Sequence, residues 1–118
     1  MNKKIENFKL KSNQKIAIVA SCYYQSIYEN LLKGALTELS RYDAITETFN
    51  VEGALEIPTA INLLKKNFEG FIALGCVIRG ETSHYDIVAS KSAYALSKLG
   101  LENICIGNGI VTVDTIDQ

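Results

Sequence analysis

The segment 75–86 (GCVIRGETSHYD) carries the side chains of this sequence that most suggest chemistry. It joins a glycine-bounded turn to two hydroxyl side chains, Thr82 and Ser83, and to His84, the single histidine of the chain. Backbone N–H groups at a helix start bind anions, and a histidine exchanges protons near neutral pH. The segment therefore predicts a phosphorylated substrate and a reaction that moves protons. A capped helix start with a structural histidine explains the same residues, and the pattern alone leaves both interpretations open.

The same turn follows the glycine spacing of a P-loop but not its charge. Gly75, four intervening residues, Gly80 and Thr82 match the pattern, whereas Glu81 stands where the phosphate-binding lysine belongs. A carboxylate there repels a triphosphate, so the sequence excludes hydrolysis of nucleoside triphosphates. One phosphate held by backbone N–H groups and hydroxyls remains compatible with the turn.

Three other segments carry side chains that suit a flat, polar ligand. Glu56 lies in a loop bounded by glycine and proline (GALEIP), where its carboxylate can accept hydrogen bonds from a heterocycle or a polyol. Tyr23 and Tyr24 offer ring faces for stacking. The segment 107–109 (GNG) permits close approach of a ligand but lacks the third glycine of a dinucleotide fingerprint. An exposed loop glutamate and packed tyrosines are the structural alternatives.

Four segments have the composition of strands, and they alternate with helical patterns. Buried apolar runs or alternation with β-branched residues predict strands at Lys15–Ser21, Ile45–Val51, 71–78 and 103–106. Alternation of strands with helices predicts a parallel sheet covered on both faces. Ligands bind beyond the carboxyl ends of such strands, which is where the segments 21–26, 52–58, 78–84 and 107–112 fall.

Apolar residues at helical spacing predict three helices between these strands. The first begins near Ser26 as its cap, and the second covers residues 59–67 behind Pro58. The third runs from His84 to Leu99, with Gly100 as its stop.

Composition predicts one globular domain and excludes several classes of function. The chain has 118 residues, of which 47% are apolar and 21% charged, and a formal net charge of −1 gives no general attraction to nucleic acid or membrane. Cys22, Cys76 and Cys105 form no CxxC pair, which favours free thiols in a reducing cytoplasm over a disulfide framework or a zinc site. No stretch is long and apolar enough to span a bilayer, and the lysine-rich N-terminus lacks the apolar core of a signal peptide.

Taken together and in this order, the segments resemble the lumazine synthase family of riboflavin biosynthesis. The matching residues are 53–58 (GALEIP), 75–86, and 107–112 (GNGIVT) with Thr115, and the resemblance runs from the first strand to the last residue. It implies a transferase that condenses 5-amino-6-(D-ribitylamino)uracil with 3,4-dihydroxy-2-butanone 4-phosphate to give 6,7-dimethyl-8-ribityllumazine. It further implies a three-layer α/β/α domain with a four-stranded, flavodoxin-like parallel sheet, and no metal or organic cofactor.

The resemblance also implies a role for individual residues. His84 would transfer protons, Tyr23 would stack on the pyrimidine, and Glu56 would accept ribityl hydroxyls. The remaining positions that the resemblance places against substrate are Ala54 and Leu55 in the ribityl and ring pocket, Cys76, Val77 and Ile78 at the pyrimidine edge, and Glu81 and Thr82 in the phosphate-binding turn.

Members of the family are pentamers or assemblies of pentamers, with each active site between neighbouring subunits. Asn108 would come from the adjacent chain, and hydrogen bonding would replace the aromatic stacking that is common at that position. The N-terminal arm would add a strand to the neighbouring sheet. The family continues past residues 115–118 (TIDQ), a capping-box pattern, through helical structure with an arginine at the phosphate site. We expect the chain to be a single domain, 1–118, that lacks this helical part and therefore binds phosphate weakly.

Two other classes of function remain open from the residues. Cys76 and His84 are the elements of a cysteine hydrolase, which would also need a third, orienting group. The same scaffold could serve a weakly active or non-catalytic protein that binds flavins or pterins.

Overall fold

The computed structural model describes residues 13–79 and 84–114, and these form a sheet flanked by helices. The strands are β1 (Lys15–Ser21), β2 (Ile45–Val51), β3 (Gly70–Ile78) and β4 (Ile106–Val113). The helices are α1 (Gln25–Leu39), α2 (Ile57–Leu64) and α3 (His84–Leu101), and a single 3₁₀ turn (Ala54–Glu56) leads into α2. In this part of the chain, no helix has both the length and the apolar character needed to cross a membrane.

The four strands form one parallel sheet in the order β2-β1-β3-β4. In this register Val19 lies opposite Phe49 on β2 and opposite Ala73 on β3. Helices connect successive strands, as a parallel sheet requires. The structure therefore confirms the three-layer α/β/α fold with a four-stranded parallel sheet.

Alternate residues of the central strands separate the core into two layers. Ala17, Val19, Phe71 and Ala73 pack on the side of α2 and α3, against Ile57, Ile61, Leu96 and Leu99. Ile18, Ala20 and Leu74 pack on the opposite side, against α1 residues that include Tyr28, Leu31, Leu32 and Ala35. Because each fully buried Ile or Leu side chain stabilises a fold by about 1.5–3 kcal/mol, these two layers hold the sheet between its helices.

The fourth strand corrects the sequence-based prediction. We expected a short strand at 103–106 followed by a loop at 107–112, but β4 spans Ile106–Val113 and contains both glycines. A Cβ on Gly109 would lie 2.9 Å from Leu74 Cδ2 and 3.1 Å from the carbonyl oxygen of Ala73. This glycine therefore allows β4 to pack closely on β3, and the prediction that residues 107–112 form a loop beyond the strand is wrong.

Three helix boundaries also differ from the prediction. Helix α1 begins at Gln25 with Tyr24 as its N-cap residue, so Ser26 is not the cap. Helix α2 ends at Leu64, although Pro58 does stand in its first turn as predicted. Helix α3 continues through Gly100 to Leu101, and the left-handed residue beyond it is Asn103, with a φ of 69°.

Candidate functional site

The carboxyl ends of β1, β2 and β3 and the start of α3 enclose a cleft of about 250 Å³. Eight of the residues predicted to act on substrate line it: Tyr23, Ala54, Leu55, Glu56, Cys76, Val77, Ile78 and His84. Five further residues complete the lining: Ser21, Tyr24, Glu52, Gly53 and Val88. Tyr24 is a candidate for stacking from the sequence, and Ser21, Glu52 and Gly53 belong to the segments 21–26 and 52–58 that the sequence places at this edge. Val88 carries no such signal.

The 3₁₀ turn positions the carboxylate of Glu56 at the cleft. Glu56 Oε2 accepts a hydrogen bond from the backbone N–H of Gly53 at 3.0 Å, and the backbone N–H of Glu56 donates to the carbonyl oxygen of Gly53 at 3.1 Å. A Cβ on residue 53 would lie 2.9 Å from Glu56 Oε2, so only glycine fits here without displacing the carboxylate. A carboxylate has acceptor capacity beyond one bond, and Glu56 can therefore also accept from a ligand hydroxyl.

Two tyrosines follow β1 and form one wall of the cleft. The rings of Tyr23 and Tyr24 are 4.9 Å apart at 82°, an edge-to-face contact that fixes one ring against the other. Tyr23 is 72% exposed and offers its ring to a ligand, whereas Tyr24 is half-buried. Burial raises the pKa of the Tyr24 hydroxyl, with further contributions from Tyr23 and Cys76, so Tyr24 remains a hydrogen-bond donor at neutral pH.

Strand pairing leaves part of the β3 backbone open to the cleft. The pairing of β3 with β1 ends at Leu74, whereas its pairing with β4 continues to Ile78. Beyond Leu74, the edge of β3 that faces away from β4 therefore has no β1 residue paired to it. Backbone groups alternate between the two edges of a strand, and the N–H groups of Phe71 and Arg79 bond to the β4 side. The N–H and C=O groups of Cys76 and Ile78 therefore face the open edge, where a planar ring with polar edges can bond to them, while those of Val77 face β4.

The thiol of Cys76 does not have the properties of a nucleophile. Burial raises its pKa, so at neutral pH the group is an uncharged thiol. Nucleophilic cysteines need the opposite shift, because the thiolate is the reactive species. This finding speaks against a cysteine hydrolase built on Cys76 and His84.

His84 is the first residue of α3, and its side chain is exposed at the cleft. Val88, one turn later on the same face of the helix, is buried against Ala54 and Val77. Tyr85 packs on the same small cluster. The first turn of α3 is therefore held against the end of the sheet by apolar contacts, and this packing places the imidazole at the cleft.

Three predicted site residues are not part of the cleft as described. Glu81 and Thr82 lie outside the described residues, as does the capping-box pattern at residues 115–118. Asn108 lies on β4 opposite Ala73, where it is exposed and its Oδ1 accepts a hydrogen bond from the N–H of Ile110 at 2.9 Å. Within 13–79 and 84–114, no three His, Cys, Asp or Glu residues cluster as metal ligands would.

Comparison with known proteins identifies relatives with a single name. The model of the 6,7-dimethyl-8-ribityllumazine synthase family matches residues 13–118. A 6,7-dimethyl-8-ribityllumazine synthase from Jannaschia sp. (strain CCS1) is 56% identical over 106 residues, which cover 88% of this chain and 60% of that protein. Proteins of the same name from Bartonella tribocorum and Methylorubrum populi are 46% and 45% identical, over 107 and 112 residues. These matches cover 87% and 88% of this chain and 71% and 66% of those relatives, so the chain spans between 60% and 71% of the length of the three relatives.

Proposed function

The chain belongs to the 6,7-dimethyl-8-ribityllumazine synthase family, and from this premise we propose that it catalyses the condensation for which the family is named. The proposed substrates are 5-amino-6-(D-ribitylamino)uracil and 3,4-dihydroxy-2-butanone 4-phosphate. The observation that carries the proposal is the presence of His84, Glu56 and Tyr23 in one cleft at the carboxyl edge of the sheet.

The pyrimidine substrate fits the polar and aromatic parts of this cleft. The exposed ring of Tyr23 can stack on a flat heterocycle, and the open backbone edge of β3 can pair with the polar edge of that ring. Glu56, held by the N–H of Gly53, accepts hydrogen bonds from the ribityl hydroxyls. The apolar side chains of Ala54 and Leu55 complete the pocket.

The reaction needs proton transfer and positioning but no covalent enzyme nucleophile. The exocyclic amine attacks the ketone and forms an imine with loss of water, phosphate leaves by elimination, and the second nitrogen closes the ring on the remaining carbonyl carbon with loss of a second water. His84 moves protons between the nitrogen and oxygen atoms that react in these steps. An uncharged Cys76 thiol agrees with a mechanism that has no thiolate step. The backbone N–H groups of Glu81 and Thr82, next to the start of α3, are the proposed phosphate ligands.

We assign the assembly and the location of the protein on the same premise. The chain would act as a homo-oligomer, a pentamer or a multiple of pentamers, in which Asn108 reaches the cleft of an adjacent subunit. Its position outside the cleft of its own chain supports this arrangement. Ile87, Tyr94 and Leu101 form an exposed apolar line along α3, with members two helical turns apart, which suits contact with another copy. Three free cysteines support a location in the reducing cytoplasm.

The direct test mixes the two substrates with the protein and follows formation of the lumazine by its fluorescence. Product formed faster than in a protein-free mixture supports an enzyme. A non-catalytic protein that binds flavins or pterins would quench the fluorescence of added riboflavin or lumazine but would not increase the rate of lumazine formation. Cys76→Ser should retain most of the activity, whereas a cysteine hydrolase would lose it.

A further inference from the structure

We propose that Arg79 is a positioning residue for His84, which it holds through the first turn of α3. The inference rests on the proposed function, because it assigns His84 a part in proton transfer. Arg79 does not line the cleft, and its contribution comes from what its side chain connects.

The base of the Arg79 side chain is anchored to the end of the sheet. Its backbone N–H donates to the carbonyl oxygen of Val113 at 2.8 Å, which continues the pairing of β3 with β4 by one residue. Its Nε donates to Asp114 Oδ1 at 3.0 Å. These two bonds hold the Arg79 side chain at the position where β3 and β4 both end.

From this point the guanidinium reaches the two residues that follow His84. Its central carbon lies 4.5 Å from the centre of the Tyr85 ring, within the range of a cation–π contact. A terminal nitrogen lies 3.6 Å from Asp86 Oδ1. Tyr85 also packs on the apolar cluster of Ala54, Val77 and Val88 beneath the cleft. Contacts to Arg79 and to the apolar cluster together restrict the first turn of α3.

The charges around Arg79 argue against a role as an anion ligand. Its hydrogen bond to Asp114 and the nearby Asp86 raise the pKa of the guanidinium, and these two carboxylates outnumber its single positive charge. A phosphate would therefore compete with these two carboxylates for the guanidinium. The side chains of Arg79, Asp86 and Asp114 are 51%, 64% and 67% exposed, so each pair is screened by water and contributes little to global stability. The rate is more sensitive than global stability to the loss of such a contact, because a displacement of a catalytic group by about 1 Å can lower the rate about 10²-fold.

The test compares the only two arginines of the chain. Arg79→Gln should lower kcat by about 10- to 100-fold while KM for both substrates stays within about twofold. Arg41→Gln is the matched control, since Arg41 forms a similarly exposed pair with Glu38 at 3.0 Å but does not line the cleft. It should leave kcat unchanged. Arg79→Lys keeps the positive charge but lacks the Nε bond, and it should recover part of the lost rate.

Action through His84 predicts that the two substitutions are not additive. In a His84→Asn background, Arg79→Gln should cause no further fall in kcat. An equal fall in both backgrounds, a selective rise in KM for the butanone phosphate, or the same loss in Arg41→Gln would overturn the proposal.

One readout separates this proposal from the proposed function. His84 is the single histidine, so its imidazole gives one set of NMR signals that can be followed without an assay. Arg79→Gln should shift those signals at unchanged Tm, and Arg41→Gln should not. Unshifted imidazole signals in Arg79→Gln would refute the positioning role, whereas wild-type protein that fails to make lumazine would refute only the proposed function.

Discussion

The two ends of the parallel strands differ in how their polar groups are paired. The amino edge is the side of the sheet where the strands begin, near Lys15 and Glu69, and the carboxyl edge is the side where they end, at the cleft. At the amino edge, the backbone N–H of Lys15 donates to Glu69 Oε2 at 2.6 Å, and the N–H of Glu69 donates to the carbonyl oxygen of Lys15 at 2.8 Å. At the carboxyl edge, β3 extends beyond its pairing with β1, and Tyr23 leaves most of its ring exposed. At the amino edge Lys15 and Glu69 therefore bond to one another, while the carboxyl edge leaves polar groups open, as the proposed ligand site requires.

Among the substitutions that test this difference between the two edges, replacement of His84 should have the largest effect on the rate. His84→Ala should slow condensation by about 10²–10⁴-fold, the usual range for general acid–base catalysis, and substrate binding should remain. Steady-state kinetics and a binding titration with the pyrimidine substrate measure the two quantities. Lys66→Ala, at the opposite edge, is the control and should have wild-type kinetics. A rate that does not change on removal of His84 would exclude it from the mechanism.

The carboxylate of Glu56 comes next in expected size. Glu56→Gln should raise KM for the ribityl-bearing substrate by about tenfold, because hydrogen bonds to charged groups contribute about 1.5–3 kcal/mol. Glu47→Gln, on the exposed strand β2 and outside the cleft, should leave KM unchanged. Equal KM values for the two variants would remove Glu56 from substrate binding.

Inorganic phosphate tests which edge accepts an anion. The amino edge carries Lys15 and Lys66, whereas the carboxyl edge carries the start of α3. We expect phosphate to compete with the butanone phosphate, because N–H groups at a helix start attract anions. Lys66→Ala should leave the inhibition constant unchanged. Loss of competition in Lys66→Ala would show that phosphate binds at the amino edge and would contradict the proposed site at the start of α3.

Glu69 probes stability rather than activity. Glu69→Ala removes the acceptor for the N–H of Lys15, and we expect the free energy of unfolding to fall by about 1 kcal/mol with kcat unchanged. Urea denaturation measures the first quantity and the condensation assay the second. A fall in kcat comparable to that of the cleft variants would contradict the division between the two edges.

Cys76 should have the smallest effect on the rate. Because burial raises the pKa of its thiol, the thiolate fraction at neutral pH is low, and Cys76→Ser should change kcat only slightly. Alkylation by iodoacetamide at pH 7 should be slower at Cys76 than at the exposed Cys105, and mass spectrometry distinguishes the two sites. Rapid modification of Cys76 with loss of activity would revive the hydrolase hypothesis.

Local patterns in the sequence determined the central part of the fold. The bounds of β1 and β2 follow from an apolar run and from alternation with β-branched residues, and the structure confirms both. Pro58 marks the first turn of α2 because a proline ring suits that position. The same strand ends placed Tyr23, Glu56 and His84 at one edge, and the structure brings the three residues together in one cleft.

Contacts between distant segments decided the rest. The first half of β4 contains residues 107–109 (GNG), which lack a strand pattern and are extended because they pair with β3. Helix α3 ends where the N–H of Ile104 bonds to the carbonyl oxygen of Leu99, with Asn103 rather than Gly100 in the left-handed region. The open backbone of β3 depends on where β1 stops, and the contact between Arg79 and Asp114 joins residues 35 positions apart. Sequence periodicity reports which face of an element is buried, but only the packed sheet sets how far each strand extends and which side chains then meet at its end.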